Sequence, residues 1–187
     1  MSDLTITHGG VSVTKRSGGE VLSNNKKLNQ MNVDLITVTP EVQNSDTDAS
    51  GDLLFDALEI PNAVADKGGS AILQSINVFH KGDRTLNFDL VFFQVTKDLG
   101  AAGAALTWGG SSETDNADAA VLLGHVSMSD WCDLVDVQIA TKTNIGLVLE
   151  AASDTRSIYC AGIARSAPGG AHGATDNIDI RFGIVQD

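Results

Sequence analysis

Cysteine, proline and aromatic residues are all scarce in this chain of 187 residues, at two, three and 5% respectively. Two cysteines, Cys132 and Cys160, cannot build the disulfide framework that staples small secreted domains. Each sits in an apolar stretch, so both are expected to be small buried hydrophobes, in a compartment that is reducing or of indifferent redox state. A chain of this length buries about 68–70% of its unfolded surface and needs no staples. Few aromatics, none interleaved with basic residues, argue against a single-stranded nucleic-acid surface. No apolar run approaches 18 residues, which leaves no candidate membrane helix. Met1 to Gly10 hold no apolar leader segment, and Lys15 and Arg16 stand too far in to be its basic start. The expectation is a protein made and folded in the cytosol.

Positive charge is the other shortage. The formal net charge is −12, the opposite of what phosphate-backbone binding requires, so no nucleic-acid partner is expected. The balance is uneven along the chain. Residues 1–30 hold Lys15, Arg16, Lys26 and Lys27 against Asp3 and Glu20, while the remaining 157 residues carry 8 basic and 22 acidic side chains, a net of −14. A basic leading segment precedes an acidic body.

Signatures of chemistry are missing as well. There is no Gly-x-Ser-x-Gly, GxGxxG, Walker A or HExxH sequence. The histidines, His8, His80, His125 and His172, have no ligand-spaced His or Cys neighbour. Asp46-Thr47-Asp48-Ala49-Ser50-Gly51-Asp52 has oxygen ligands at its first, third and fifth positions followed by Gly, as in the first half of a calcium loop. However, Ala57 stands at the twelfth position, where a bidentate Glu is needed. Asp46, Asp48 and Asp52 therefore read as a solvated turn. Thr114 to Asp118 form a second acidic loop, and with Trp108 as a stacking surface they offer a lectin-like alternative. The expectation is no catalysis, no metal and no cofactor.

What is present is β-structure. The first 32 residues are polar and glycine-rich, with His8-Gly9-Gly10 and Ser17-Gly18-Gly19, and read as an extended arm (1–32) that orders on a partner. From Val33 the chain turns to short apolar runs: 33–39, 53–60, 71–80, 85–95, 124–128, 143–151, 158–164 and 178–184. A further alternation runs through Val135, Val137 and Ile139. Ile72, Ile76 and Val78 are expected on one face, and Asn177, Asp179 and Arg181 in water. Leu86, Phe88, Leu90 and Phe92 point one way and Asn87 and Asp89 the other, with Val91-Phe92-Phe93 apolar on both faces, as in a covered central strand. Asp118 to Leu123 read as a single helical turn. No helical pattern reaches three turns, which excludes parallel crossover folds. About eight antiparallel strands predict an all-β two-sheet sandwich over 33–187, with jelly roll the natural count, although count does not fix connectivity. An immunoglobulin arrangement is less suited, for want of a Cys…Trp…Cys spacing.

Ala71-Ile72-Leu73-Gln74-Ser75-Ile76-Asn77-Val78, followed by Leu86-Asn87-Phe88-Asp89-Leu90-Val91-Phe92-Phe93, resembles a class of tailed-phage structural proteins. In that class an "LQSV" segment precedes an "LDLYFF"-like strand. Ala140 to Leu149 and Asp179 to Asp187 are similar to the same class. The resemblance covers roughly Val33 to Asp187 and consists of strand sequences and their spacing; the first 32 residues depart from it. It implies a capsid decoration or cement protein with a jelly-roll-type sandwich, placed on the outer surface of a virion. The major capsid protein would be its partner, and the chain itself a homo-oligomer. A head fibre, vertex or tail component is the alternative within that class. On this reading Lys15, Arg16, Lys26 and Lys27 are the candidate capsid-binding residues.

Overall fold

The period-two runs after Val33 form two antiparallel sheets, one of five strands and one of four. The computed structural model describes residues 4–8, 11–15, 21–23, 32–42, 49–82, 86–106, 120–166 and 178–186. The chain divides into two units, Met1–Asn32 and Val33–Asp187.

In the first unit, β1 (Leu4–His8), β2 (Val11–Lys15) and β3 (Val21–Ser23) pair antiparallel in that order. Composition suggests an arm without period, yet the backbone forms a small sheet. Leu4-Thr5-Ile6-Thr7 and Val11-Ser12-Val13-Thr14 do alternate. His8 pairs with Val11, so only two residues, both glycine, separate the strands, which is the composition of a two-residue hairpin. Runs this short are masked by the glycine-rich sequence around them.

The second unit contains β4 (Asn32–Val38), β5 (Leu53–Ile60), β6 (Ser70–His80), β7 (Phe88–Phe93), β8 (Leu122–Met128), β9 (Trp131–Asp133), β10 (Gln138–Glu150), β11 (Ile158–Ala164) and β12 (Ile178–Gln186). The five-stranded sheet runs β4-β12-β6-β10-β9 and the four-stranded sheet β5-β11-β7-β8. Without the short β9, the neighbours are nested: β7 with β8, β6 with β10, β5 with β11, β4 with β12. One long hairpin folded over on itself gives this jelly-roll-like order. Among the described residues there is no helix, and hence none long and apolar enough to cross a membrane.

The core lies between the sheets. Ile76, Val78, Ile180, Phe182 and Ile184 face Phe55, Phe88, Leu90, Phe92 and Ile158, all buried. Each such side chain stabilises the fold by about 1.5–3 kcal/mol relative to exposure. Phe92 and Phe182 meet edge to face at 5.9 Å, which joins the sheets at their centre. Trp131 on the edge strand β9 packs near Phe88 and against the buried His80, with its indole N–H donating to Leu86 O at 3.1 Å. His80 Nδ1 lies 2.7 Å from Gly82 O, so this imidazole is part of a strand end.

Several sequence expectations change on contact with the sheets. Ile72 does not share a face with Ile76 and Val78. Ala71 and Leu73 are buried and then Ile76 and Val78, so the parity switches at Gln74. The β12 register skips that residue, passing from Gly183–Ser75 to Ile184–Leu73, as at a β-bulge. Opposite it, β10 breaks its register between Thr143 and Leu147, with Asn144 and Gly146 at φ 57° and 70°. The predicted run 143–151 thus extends back to Gln138 as one strand, kinked at residues that tolerate left-handed backbone. Val135 leaves the alternation: at φ 79° it sits in the turn between β9 and β10. The run 85–95 shortens to Phe88–Phe93, every residue of it buried. Leu122 and Leu123 belong to β8, not to a helical turn. Cys160 is buried, but Cys132 is exposed, and both are free thiols.

Candidate functional site

Outside the four-stranded sheet, alternation turns Asp89 and Val91 of β7 away from the main core, opposite Ser127 and His125 of β8 and beside Ile163 of β11. Arg165 follows β11 directly. A second apolar cluster of Leu53, Val91, Phe93, Leu99, Ala161 and Ile163 covers part of this face, joined by Leu106 and Tyr159. The segment that carries Leu99 is held by bonds from Gly103 N–H to Leu53 O (2.7 Å) and from Leu106 N–H to Gly51 O (3.3 Å). Beside it lies a cleft of about 370 Å³ lined by Val91, Leu106, Leu122, His125, Ile163 and Arg165, together with Gly51 and Gly124.

Asp89 organises the polar end of this face. Its Oδ2 accepts from Arg165 Nε at 2.7 Å and its Oδ1 from Ser127 Oγ at 2.6 Å. Burial alone pushes its pKa up. The Ser127 hydrogen bond, the Arg165 hydrogen bond and charge, and the charge of His125 outweigh that and hold the carboxyl below its ordinary value. The arrangement is a hydrogen-bonded ion pair extended by a hydroxyl. A nucleophilic serine passes its proton to a basic partner, whereas Ser127 donates to a carboxylate that is a weakened base. The cleft provides a shallow apolar seat with His125 and Arg165 as hydrogen-bonding groups.

Asp179 of β12 forms the corresponding polar point on the five-stranded sheet. It accepts from Lys81 Nζ at 2.9 Å and from Thr39 Oγ1 at 2.7 Å. These hydrogen bonds, Lys81 first, hold its pKa below the usual carboxylate value, so Asp179 is a paired group and not the fully solvated one expected from alternation. Burial pushes the Cys160 thiol far up, which makes it inert at neutral pH.

Of the four candidate capsid-binding residues, one lies among the described residues. Lys15 ends β2, while Arg16, Lys26 and Lys27 lie outside the described residues. So do Asp46 and Asp48 of the acidic loop, Trp108, the Thr114–Asp118 segment, His172, Asp118 and Asn177. Asp52 is described: its carboxylate accepts from Ala49 N–H at 2.6 Å, the bond of an ordinary turn. Among the described residues no three His, Cys, Asp or Glu side chains converge in a metal-binding group. The Asp89–Ser127–Arg165 triangle was missed in sequence because Arg165 stands 76 positions from Asp89. Its one signal was an acid inside the most apolar strand of the chain. No family model and no curated protein matches the chain.

Proposed function

We propose that this is a structural virion protein that binds the outside of a phage capsid and stabilises the head by bridging capsid subunits. One observation carries the reading. The two segments that resemble tailed-phage structural proteins, Ala71–Val78 and Leu86–Phe93, supply β6 and β7, each an interior strand of its sheet. The likeness therefore falls on the framework of the sandwich and not on its loops. A nested antiparallel sandwich gives a rigid body suited to clamping neighbours without chemistry, and the protein performs no reaction, uses no cofactor and binds neither nucleic acid nor membrane.

Attachment is assigned to the first 32 residues. Lys15, Arg16, Lys26 and Lys27 give residues 1–30 a net positive charge against a body of net −14, so the basic segment meets acidic capsid surface while the body stays soluble. Many copies per particle add avidity to modest single contacts. The test removes residues 1–30 and measures occupancy on capsids, with circular dichroism to check that the β-signal of 33–187 persists. Loss of occupancy with an intact β-signal supports the proposal. Unchanged occupancy refutes it.

A further inference from the structure

We infer that the outward face of the five-stranded sheet packs against the same face of a second copy of this chain. Register and burial define the face. Val148, Ile72 and Val185 form one row across β10, β6 and β12, with Val148 60% and Ile72 39% exposed. On the edge strand β4, Val33 and Leu35 are exposed by 66% and 63%. The following rows hold Thr143, Ser75 and Gly183, then Thr141, Asn77 and Arg181, with Asn77 accepting the Thr141 hydroxyl at 2.9 Å.

Charge selects the occupant. Several of the described acids stand in the loops between strands, as do Asp66, Asp98, Asp136 and Asp154, and Asp130 there is paired with Lys142 at 3.1 Å. On the outward sheet face Asp179 is bonded to Lys81, Arg181 lies over the Phe79 ring at 4.4 Å, and Glu150 closes the far end of β10. These four charges cancel. A basic or acidic partner finds no complement there, whereas a second copy of this acidic body meets no repulsion on that face. What fits a surface where valine, isoleucine, leucine and threonine are exposed is another such surface. Sheets pack in this way, face to face at about 10 Å. The five strands, of 7, 9, 11, 13 and 3 residues, give a footprint of about 700 Å² per copy at roughly 3.3 Å per residue and 4.8 Å between strands. That is the share each partner contributes to a standard stable interface. The pairing is isologous, so it closes at two copies.

The inference rests on the proposed function only for the expectation of a homo-oligomer. Its experiment uses the purified full chain without capsids, so loss of pairing and loss of capsid binding are read separately. Sedimentation equilibrium is measured for the native chain, for Ile72→Glu and Val148→Glu on the face, and for Leu134→Glu in the exposed turn beyond the end of β9, with circular dichroism as the fold check. The expected result is a mass of two chains for the native protein and Leu134→Glu, and a dissociation constant raised at least tenfold for the two face variants. If the apolar replacements unfold, Thr143→Glu puts the same charge at an already polar and exposed position of the face. A native monomer well above micromolar concentration, an assembly of three or more copies, or face variants that still pair would each overturn the inference. So would dissociation of Leu134→Glu to the same degree.

Discussion

Gly162 stands opposite Phe55 across the β11–β5 pair, and the Phe55 ring fills the volume that a Cβ at position 162 would occupy. The register of that pair slips on both sides of Gly162, so the absent side chain and the irregular backbone serve one purpose: they let a fully buried phenyl ring lie against the β11 backbone. Gly162→Ala forces the ring or the strand to move. The expected cost is roughly 1–3 kcal/mol, the range for overpacking a dense core. Urea unfolding measures it. A loss below a few tenths of a kcal/mol would mean that the Phe55 ring has free room.

Asp89 and Asp179 give the fold its sensitivity to acid. Both carboxyls are held below the ordinary value of 3.8 in the folded chain, Asp89 by bonds that outweigh its burial and Asp179 by Lys81 and Thr39. A depressed folded pKa means that the unfolded chain binds protons first. The contribution is therefore complete well above pH 3.8 and disappears as pH falls from there through the lower folded value. The native chain is expected to hold its denaturation midpoint at mildly acidic pH and lose stability below about pH 4. Asp89→Asn keeps an acceptor for Ser127 but has no titration, so its stability is lower at neutral pH and falls less steeply on acidification. Parallel pH profiles for the two proteins would show that Asp89 carries none of this dependence.

Strand limits were legible in the sequence where polar turns bound an apolar run. Leu53–Ile60 and Ile158–Ala164 match their predicted limits for that reason, although their pairing is irregular around Gly162. Parity fails where a bulge intervenes. At Gln74 one extra residue in β6 transfers Ile72 to the outer face, and nothing in Ala71–Val78 alone marks that step, because both faces hold apolar residues. Trp131 was overlooked for a related reason: three residues of edge strand carry no period, although the indole closes one end of the core. The Asp89 cluster depends on tertiary pairing, since its partners come from the ends of β8 and β11. A lone acid within Phe88–Phe93 signals that some partner exists without saying which.

Val135 is the one β-branched residue among the described ones held at positive φ, at 79°, and it is 78% exposed. Left-handed backbone costs an ordinary residue roughly 1–2 kcal/mol, and branching at Cβ adds crowding there. The turn imposes the conformation: Leu134 N–H bonds Val137 O at 2.9 Å, and Asp133 Oδ1 accepts from Val135 N–H at 2.7 Å. Exposure means that little apolar burial offsets the strain. Asparagine tolerates left-handed backbone and keeps the N–H that Asp133 requires. Val135→Asn is therefore expected to stabilise the unit by about 1 kcal/mol, which raises the melting temperature by roughly 2–4 °C in a chain of this size. Differential scanning calorimetry of the two proteins checks it. A lower melting temperature would mean that the valine side chain makes contacts worth more than the strain it bears.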